Sequence, residues 1–250
     1  SFSSFPQLVS SLFLGHTHYI ETCLGVGKKG LSLLVGDTLR IASVTEKLPL
    51  KEVAAQITAE RIVEKATLCQ QTIKRDFNIS NPRIAVLALN PKNNEETSCG
   101  NEEKEIIIPA IDELAGKGVQ VFGPYPADDF FGNGDFREFD GVLAMYHDQA
   151  TAPFKSINDG RGVIYTAGMP VIRTSADITP GYEIAGTNTA DESAFRNAVY
   201  LAIDTFRYRS SYDEACENPL PKLFHEKRDD SEKVRFAIPK KKADSPEAKR

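Results

Sequence analysis

In GVLAMYHDQ, residues 141–149, an apolar run from Gly141 to Tyr146 is followed at once by His147, Asp148 and Gln149. Such a run reads as a buried strand, and it delivers His147 and Asp148 at its end, where ligands meet open sheets. Lys155, in PFK, and Arg173, in VIRTS, come shortly after. An imidazole, a carboxylate, an ammonium and a guanidinium this close in sequence make a site for a metal and an anionic substrate. Taken singly, His147 is also what a buried histidine hydrogen-bonded at a strand end looks like, and Lys155 and Arg173 are what surface charges look like.

On both sides of this strand, helical and strand patterns alternate, which argues for an α/β sheet with crossover helices. LSLLVGD (Leu31 to Asp37) and LRIASVT (Leu39 to Thr45) read as adjacent strands, and Leu50 to Phe77 carries apolar residues at helical spacing. RIAVLAL (Arg83 to Leu89) reads as a buried strand, and Glu102 to Gly116 as a helix that Pro109 is expected to kink. VQVFGP (Val119 to Pro124) is the next strand, with Gly118 suited to the turn into it. Ser193 to Arg207 reads as an amphipathic helix with Ala194, Val199, Ala202 and Phe206 facing inward. No internal repeat is visible.

Composition narrows the function classes. With 250 residues, 41% hydrophobic and 26% charged, the chain has enough apolar surface for one large domain or two small ones. A net charge of −5 gives no electrostatic case for nucleic acid, and Lys240 to Lys242 sit in a polar tail. No stretch reaches the roughly 18 apolar residues of a membrane helix, and the opening SFSSFPQLVSSLFLG lacks the basic leader of a secretory signal. Cys23, Cys69, Cys99 and Cys216 are scattered without paired spacing, as expected of reduced thiols in a cytoplasm. From Tyr208 onward the sequence turns charged and proline-bearing, and residues 208–250 are expected to form an extended or disordered tail.

Taken together, GHTHYIE (Gly15 to Glu21), LNP (Leu89 to Pro91), EIIIPAIDEL (Glu105 to Leu114), GPYPAD (Gly123 to Asp128), LAMYHDQ, RGV (Arg161 to Val163), GMPVIRTS (Gly168 to Ser175) and YEIAGTNTAD (Tyr182 to Asp191) form an ordered set. The set resembles the 4-hydroxythreonine-4-phosphate dehydrogenase family of vitamin B6 biosynthesis. The resemblance implies an isocitrate/isopropylmalate dehydrogenase-like α/β fold over residues 15–207, mainly the second domain of the family fold. Residues 1–14 are expected to be a remnant of a longer upstream region.

The resemblance also implies a chemistry. It is NAD-dependent oxidation of the secondary alcohol of a phosphorylated hydroxy-amino acid, followed by decarboxylation, in a cytoplasmic homodimer with no nucleic-acid or membrane partner. Three family histidines hold a divalent metal of the Zn, Mg or Co class, and His16 and His147 match the first and third. Lys92 stands at the second position, and an ammonium does not ligate a metal unless deprotonated. His18 is a possible replacement ligand, or a surface histidine. Asp148 either orients metal-bound groups or caps the next segment, and Asp128 is a matched carboxylate or a turn residue.

Lys155 and Arg173 match residues that hold the substrate's phosphate and carboxylate, and Lys155 is also placed to protonate the enol left by decarboxylation. Ile164 replaces a family asparagine and removes a hydrogen-bonding amide. Glu183, Ile184, Ala185 and Gly186 match the adenosine-binding turn of the cofactor site; the same turn also serves simply to join a strand to the last helix. The alternative is a catalytically impaired or inactive descendant that keeps the fold and acts as a binding or assembly protein.

Overall fold

The computed structural model describes residues 19–20, 23–24, 30–46, 48–91, 99–178 and 181–220. His16, His18 and Lys92 lie outside them. Seven strands form one mixed sheet in the order β4-β3-β5-β2-β1-β6-β7. β1 (Leu31–Val35) and β2 (Arg40–Ser43) are the expected hairpin, with Leu34 opposite Ile41. β2 runs parallel to β5 (Gly141–Ala144), β5 to β3 (Ile84–Leu87), and β3 to β4 (Val121–Tyr125). On the other side β1 pairs antiparallel with β6 (Val163–Ala167), and β6 antiparallel with β7 (Thr174–Ala176). The C-terminal ends of β2, β3, β4, β5 and β6 therefore share one end of the sheet with the start of β7.

Both faces of the central strands are covered, which is why GVLA and IAVL read as unbroken apolar runs. On one face Ile84, Val86, Leu143, Met145 and Tyr165 meet Ile62, Ala66, Cys69 and Ile73 of α2 (Ala59–Asp76) and Ala110, Ile111 and Leu114 of α3 (Ile108–Gly116). On the other, Ile41, Ala85, Leu87, Val142 and Ala144 meet Phe130 of α4 (Ala127–Gly132) and Ala150 and Phe154 of α5 (His147–Asn158). The alternation of side chains along each strand sorts neighbours such as Val142 and Leu143 into opposite layers.

Three elements depart from the sequence expectation. The helix expected from Leu50 to Phe77 is two, α1 (Leu50–Gln56) and α2, because Ile57 is extended and Thr58 caps α2, its hydroxyl accepting from Arg61 N at 3.3 Å. Pro109 stands directly beside an irregularity in its helix. It lies in the first turn of α3, where a missing N–H leaves nothing unpaired, and the irregularity is a π-helical turn just before it, Glu103–Ile107.

The last helix, α6 (Ser193–Glu217), continues well past Arg207, into sequence expected to be a tail. It buries Ala194, Ala198, Thr205 and Arg209, whereas Val199 and Phe206 are 42% and 64% exposed. The inward stripe is set by what α6 packs against, namely α2, β6 and β7. That surface offers a carboxylate and two carbonyls, so it selects an arginine where hydrophobicity alone selects a phenylalanine. Asp213 of α6 and Arg75 of α2 form an ion pair on the surface of the same contact.

Among the described residues no helix is long and apolar enough to cross a membrane. The cysteines are free thiols.

Candidate functional site

The ends of three strands are tied together immediately before His147. Thr45, after β2, donates from its N–H (3.1 Å) and from its hydroxyl (2.8 Å) to Met145 O. The Gln149 amide accepts from Met145 N and donates to Ala88 O after β3, both at 2.7 Å. With β5 held on both sides, Tyr146 continues extended and His147 becomes the first residue of α5.

His147 Nδ1 lies 2.8 Å from Asp148 Oδ1, and its Nε2 3.4 Å from the Thr151 hydroxyl. With Nδ1–H donating to the carboxylate, Nε2 is left as the acceptor, the arrangement in which an imidazole ligates a metal or accepts a proton. The imidazole is half-exposed and Asp148 more so, which excludes the buried-histidine reading. Asp148 occupies the first turn of α5, where its charge also suits the helix N-terminus.

A buried carboxylate supports the neighbouring LNP segment. Glu103 accepts from Leu89 N (2.9 Å) and Asn90 N (2.7 Å) through one oxygen and from Asn90 Nδ2 (3.1 Å) through the other. Neither Glu103 nor Gln149 was singled out from the sequence. Gln149 belongs to the quoted motif, but Glu103 carries no local signal, because its partners lie 13 and 14 positions away. Asp128 stands exposed in the first turn of α4, after the C-terminal end of β4.

Lys155 is not brought to His147. It lies two turns further along α5, roughly 12 Å down the axis, and its ammonium pairs with Asp177 Oδ1 at 3.3 Å. Asp177 follows β7 at the opposite end of the sheet, its N–H donating to Gly162 O. The pair lines a cleft of about 290 Å³ with Phe154, Asn158, Gly160, Gly162 and Ile178.

Arg173 is at the His147 end of the sheet, where its Nη1 donates to Thr166 Oγ1 at 2.7 Å. Ile164, two residues before Thr166 on β6, shares its face of the sheet and pairs with Leu34 and Ser175. Leu34 packs with the α5 layer, so Ile164, Thr166 and the Arg173 contact all lie on the α5 side. Glu183 and Ile184 belong to a 3-10 turn, and Ala185 and Gly186 (φ +80°) follow it, all exposed in the loop between β7 and α6.

Among the described residues no three His, Cys, Asp or Glu side chains are grouped to hold a metal ion. His147 and Asp148 give a divalent cation one imidazole and one neighbouring carboxylate, which does not by itself fit it.

The model of the family described as pyridoxal phosphate biosynthetic protein PdxA matches residues 7–202. The chain belongs to the PdxA family. A PdxA relative from Bacteroides thetaiotaomicron, a 4-hydroxythreonine-4-phosphate dehydrogenase, is 50% identical over 224 residues, 90% of this chain and 62% of the relative. One from Desulforapulum autotrophicum is 41% identical over 78% of this chain and 57% of its own length.

The crystal structure of the Klebsiella pneumoniae 4-hydroxythreonine-4-phosphate dehydrogenase superposes with a TM-score of 0.67 at 30% identity, over 78% of this chain and 59% of that one. A terephthalate 1,2-cis-dihydrodiol dehydrogenase from Burkholderia xenovorans superposes at 0.61 with 25% identity, over 76% of this chain and 60% of that one. The fold is thus the isocitrate/isopropylmalate dehydrogenase-like fold of PdxA proteins. The chain spans about three-fifths of the length of the curated relatives it matches.

Proposed function

We propose that the chain works in pyridoxal phosphate biosynthesis as an NAD-dependent dehydrogenase that oxidises 4-phosphooxy-L-threonine and decarboxylates the product. The observation that carries this reading is the family match through residues 7–202 together with His147 and Arg173 at one end of the sheet. In it, Arg173 holds an anionic group of the substrate through its planar fork. Lys155 is assigned the proton that the enol carbon takes after carbon dioxide departs, a role that requires its ammonium to come off Asp177 and toward the His147 end of α5.

Asp148 keeps the Nδ1 proton on His147 and so keeps Nε2 directed at the ligand. Asp128, beyond β4, adds a carboxylate at the same end of the sheet. The exposed backbone of Glu183, Ile184, Ala185 and Gly186 meets the adenosine part of NAD. The divalent cation of the family is assigned to His147 together with His16, with further ligands contributed across a homodimer. An outward apolar stripe on α6, containing Phe195, Val199, Ile203 and Phe206, supports association. A biosynthetic reaction on small polar metabolites and free thiols support a cytoplasmic location.

A second reading, an impaired descendant that keeps the fold as a binding protein, is favoured by Lys92 and Ile164 at family histidine and asparagine positions and by Lys155 turned away from His147. The test is NADH formation by the purified chain with 4-phosphooxy-L-threonine, NAD and a divalent metal, beside His147→Ala. Turnover abolished by the substitution supports the dehydrogenase. A folded chain without turnover leaves the binding protein as the better account.

A further inference from the structure

Asp76, Tyr165 and Arg209 form a closed hydrogen-bonded cluster that the reaction as described does not use. Asp76 is the last residue of α2, Tyr165 the centre of β6, and Arg209 lies in the C-terminal half of α6. Arg209 Nε donates to Asp76 Oδ1 at 2.9 Å, and its Nη2 donates to Asp76 Oδ2 at 2.9 Å and to the Tyr165 hydroxyl oxygen at 2.8 Å. The Tyr165 hydroxyl donates to Asp76 Oδ2 at 2.6 Å. The remaining nitrogen, Nη1, donates to Met169 O at 3.3 Å and Pro170 O at 3.4 Å.

All three side chains are out of solvent. A buried arginine–carboxylate pair is often no more stabilising than apolar residues of the same volume, so stability alone gives little reason for this one. What a guanidinium adds is direction, because its planar fork fixes several acceptors relative to one another.

Two of those acceptors lead to Arg173. The carbonyls of Met169 and Pro170 lie in the turn from β6 to β7, and that turn ends at Arg173. At its base Thr166 N donates to Arg173 O at 3.0 Å, and the Arg173 guanidinium returns to Thr166 Oγ1. Tyr165 and Thr166 are consecutive, so their side chains point to opposite faces of the sheet. Arg209 thus holds, from the α2 and α6 side, both the strand residue beside Thr166 and the turn that delivers Arg173 to the other side.

We propose that Arg209 is a positioning residue for Arg173: the cluster with Asp76 and Tyr165 sets the orientation of the guanidinium that receives the substrate's anionic group. This rests on the assignment of Arg173 to the substrate made above.

Two measurements on the full chain test it. The first is the arginine Nε–Hε NMR signal of Arg173, assigned by its loss in Arg173→Lys and compared in wild type, Arg209→Lys and Tyr165→Phe. The signal is expected to shift or broaden in both cluster variants while far-UV circular dichroism is unchanged. The second is a double-mutant cycle on the affinity for 4-phosphooxy-L-threonine. Arg209→Lys is expected to weaken binding roughly tenfold in the wild-type background and to have no further effect in Arg173→Ala.

An unmoved Arg173 signal in both variants, or losses that simply add, overturns this proposal alone. No binding by the wild type, or undiminished binding by Arg173→Ala, overturns the assignment of Arg173 to the substrate, and the proposal with it.

Discussion

Arg209 and Asp76, 133 positions apart in the chain, meet in a two-point contact with both N···O distances at 2.9 Å. Burial pulls the Arg209 guanidinium down, and the hydrogen bonds and charges of Asp76 and Tyr165 together more than offset it, so the group is held above its ordinary value and stays charged. Asp76→Ala leaves that charge in the core without its counter-ion, and it is expected to lower the unfolding free energy by roughly 3–5 kcal/mol. Urea denaturation measures it. A loss below about 1 kcal/mol would show that water reaches the guanidinium and that the contact matters little.

The same cluster sets an alkaline limit. Burial first, and then the Asp76 charge, hold the Tyr165 hydroxyl well above its ordinary value of 10.0. Folded Tyr165 keeps its proton to higher pH than the unfolded chain does, so its contribution is complete below about pH 10 and is lost as pH rises beyond it. Burial pushes the Cys69 thiol from 9.0 to about 12, which adds loss of the same sign from about pH 9 upward. Stability measured from about pH 8 to 12 is expected to fall, and to fall less steeply in Tyr165→Phe. Equal slopes in the two proteins would exclude Tyr165 as the cause.

Gln149 links Met145 N to Ala88 O, both on buried residues. Gln149→Ala leaves a donor and an acceptor unpaired at the strand ends that present His147, at a cost of roughly 1–3 kcal/mol. Thermal unfolding gives the stability change, and metal affinity in the same variant reports the displacement of the imidazole. Wild-type values for both would mean that the ladders to β2 and β3 and the Thr45 contact hold the end of β5 without Gln149.

Ile164 offers a gain-of-function test. It lies half-buried on the face of the sheet that carries Thr166 and the Arg173 contact. Ile164→Asn restores an amide to that face and is expected to tighten 4-phosphooxy-L-threonine by roughly 5- to 150-fold, the equivalent of one buried hydrogen-bond partner. Calorimetric titration of both proteins decides it, and unchanged affinity would place the substrate away from β6.

Much of the sheet was legible in the chain because each strand carries its own signal. LSLLVGD, RIAVLAL and GVLAMY are each dominated by apolar residues, and their strands lie in β1, β3 and β5. Short-range chemistry was only partly legible. The hydroxyl that ends one helix and begins the next belongs to Thr58, and a single polar residue inside a periodic apolar pattern is easily read through. The candidate site was legible at His147 and Asp148 only as an exposed pair at a strand end, because they are adjacent and need only a strand to present them.

Composition and local pattern by themselves determined the alternation of strands and helices, the covered sheet and the motif at its edge, because these depend on residues a few positions apart. Tertiary structure decided where the charges go. Lys155 pairs with Asp177, Arg173 is tied to Thr166, and α6 runs on to Glu217 with Arg209 turned inward. The physical reason is that a charged side chain takes its direction from whichever counter-charge or carbonyl the fold brings within about 3 Å, and those partners are distant in sequence.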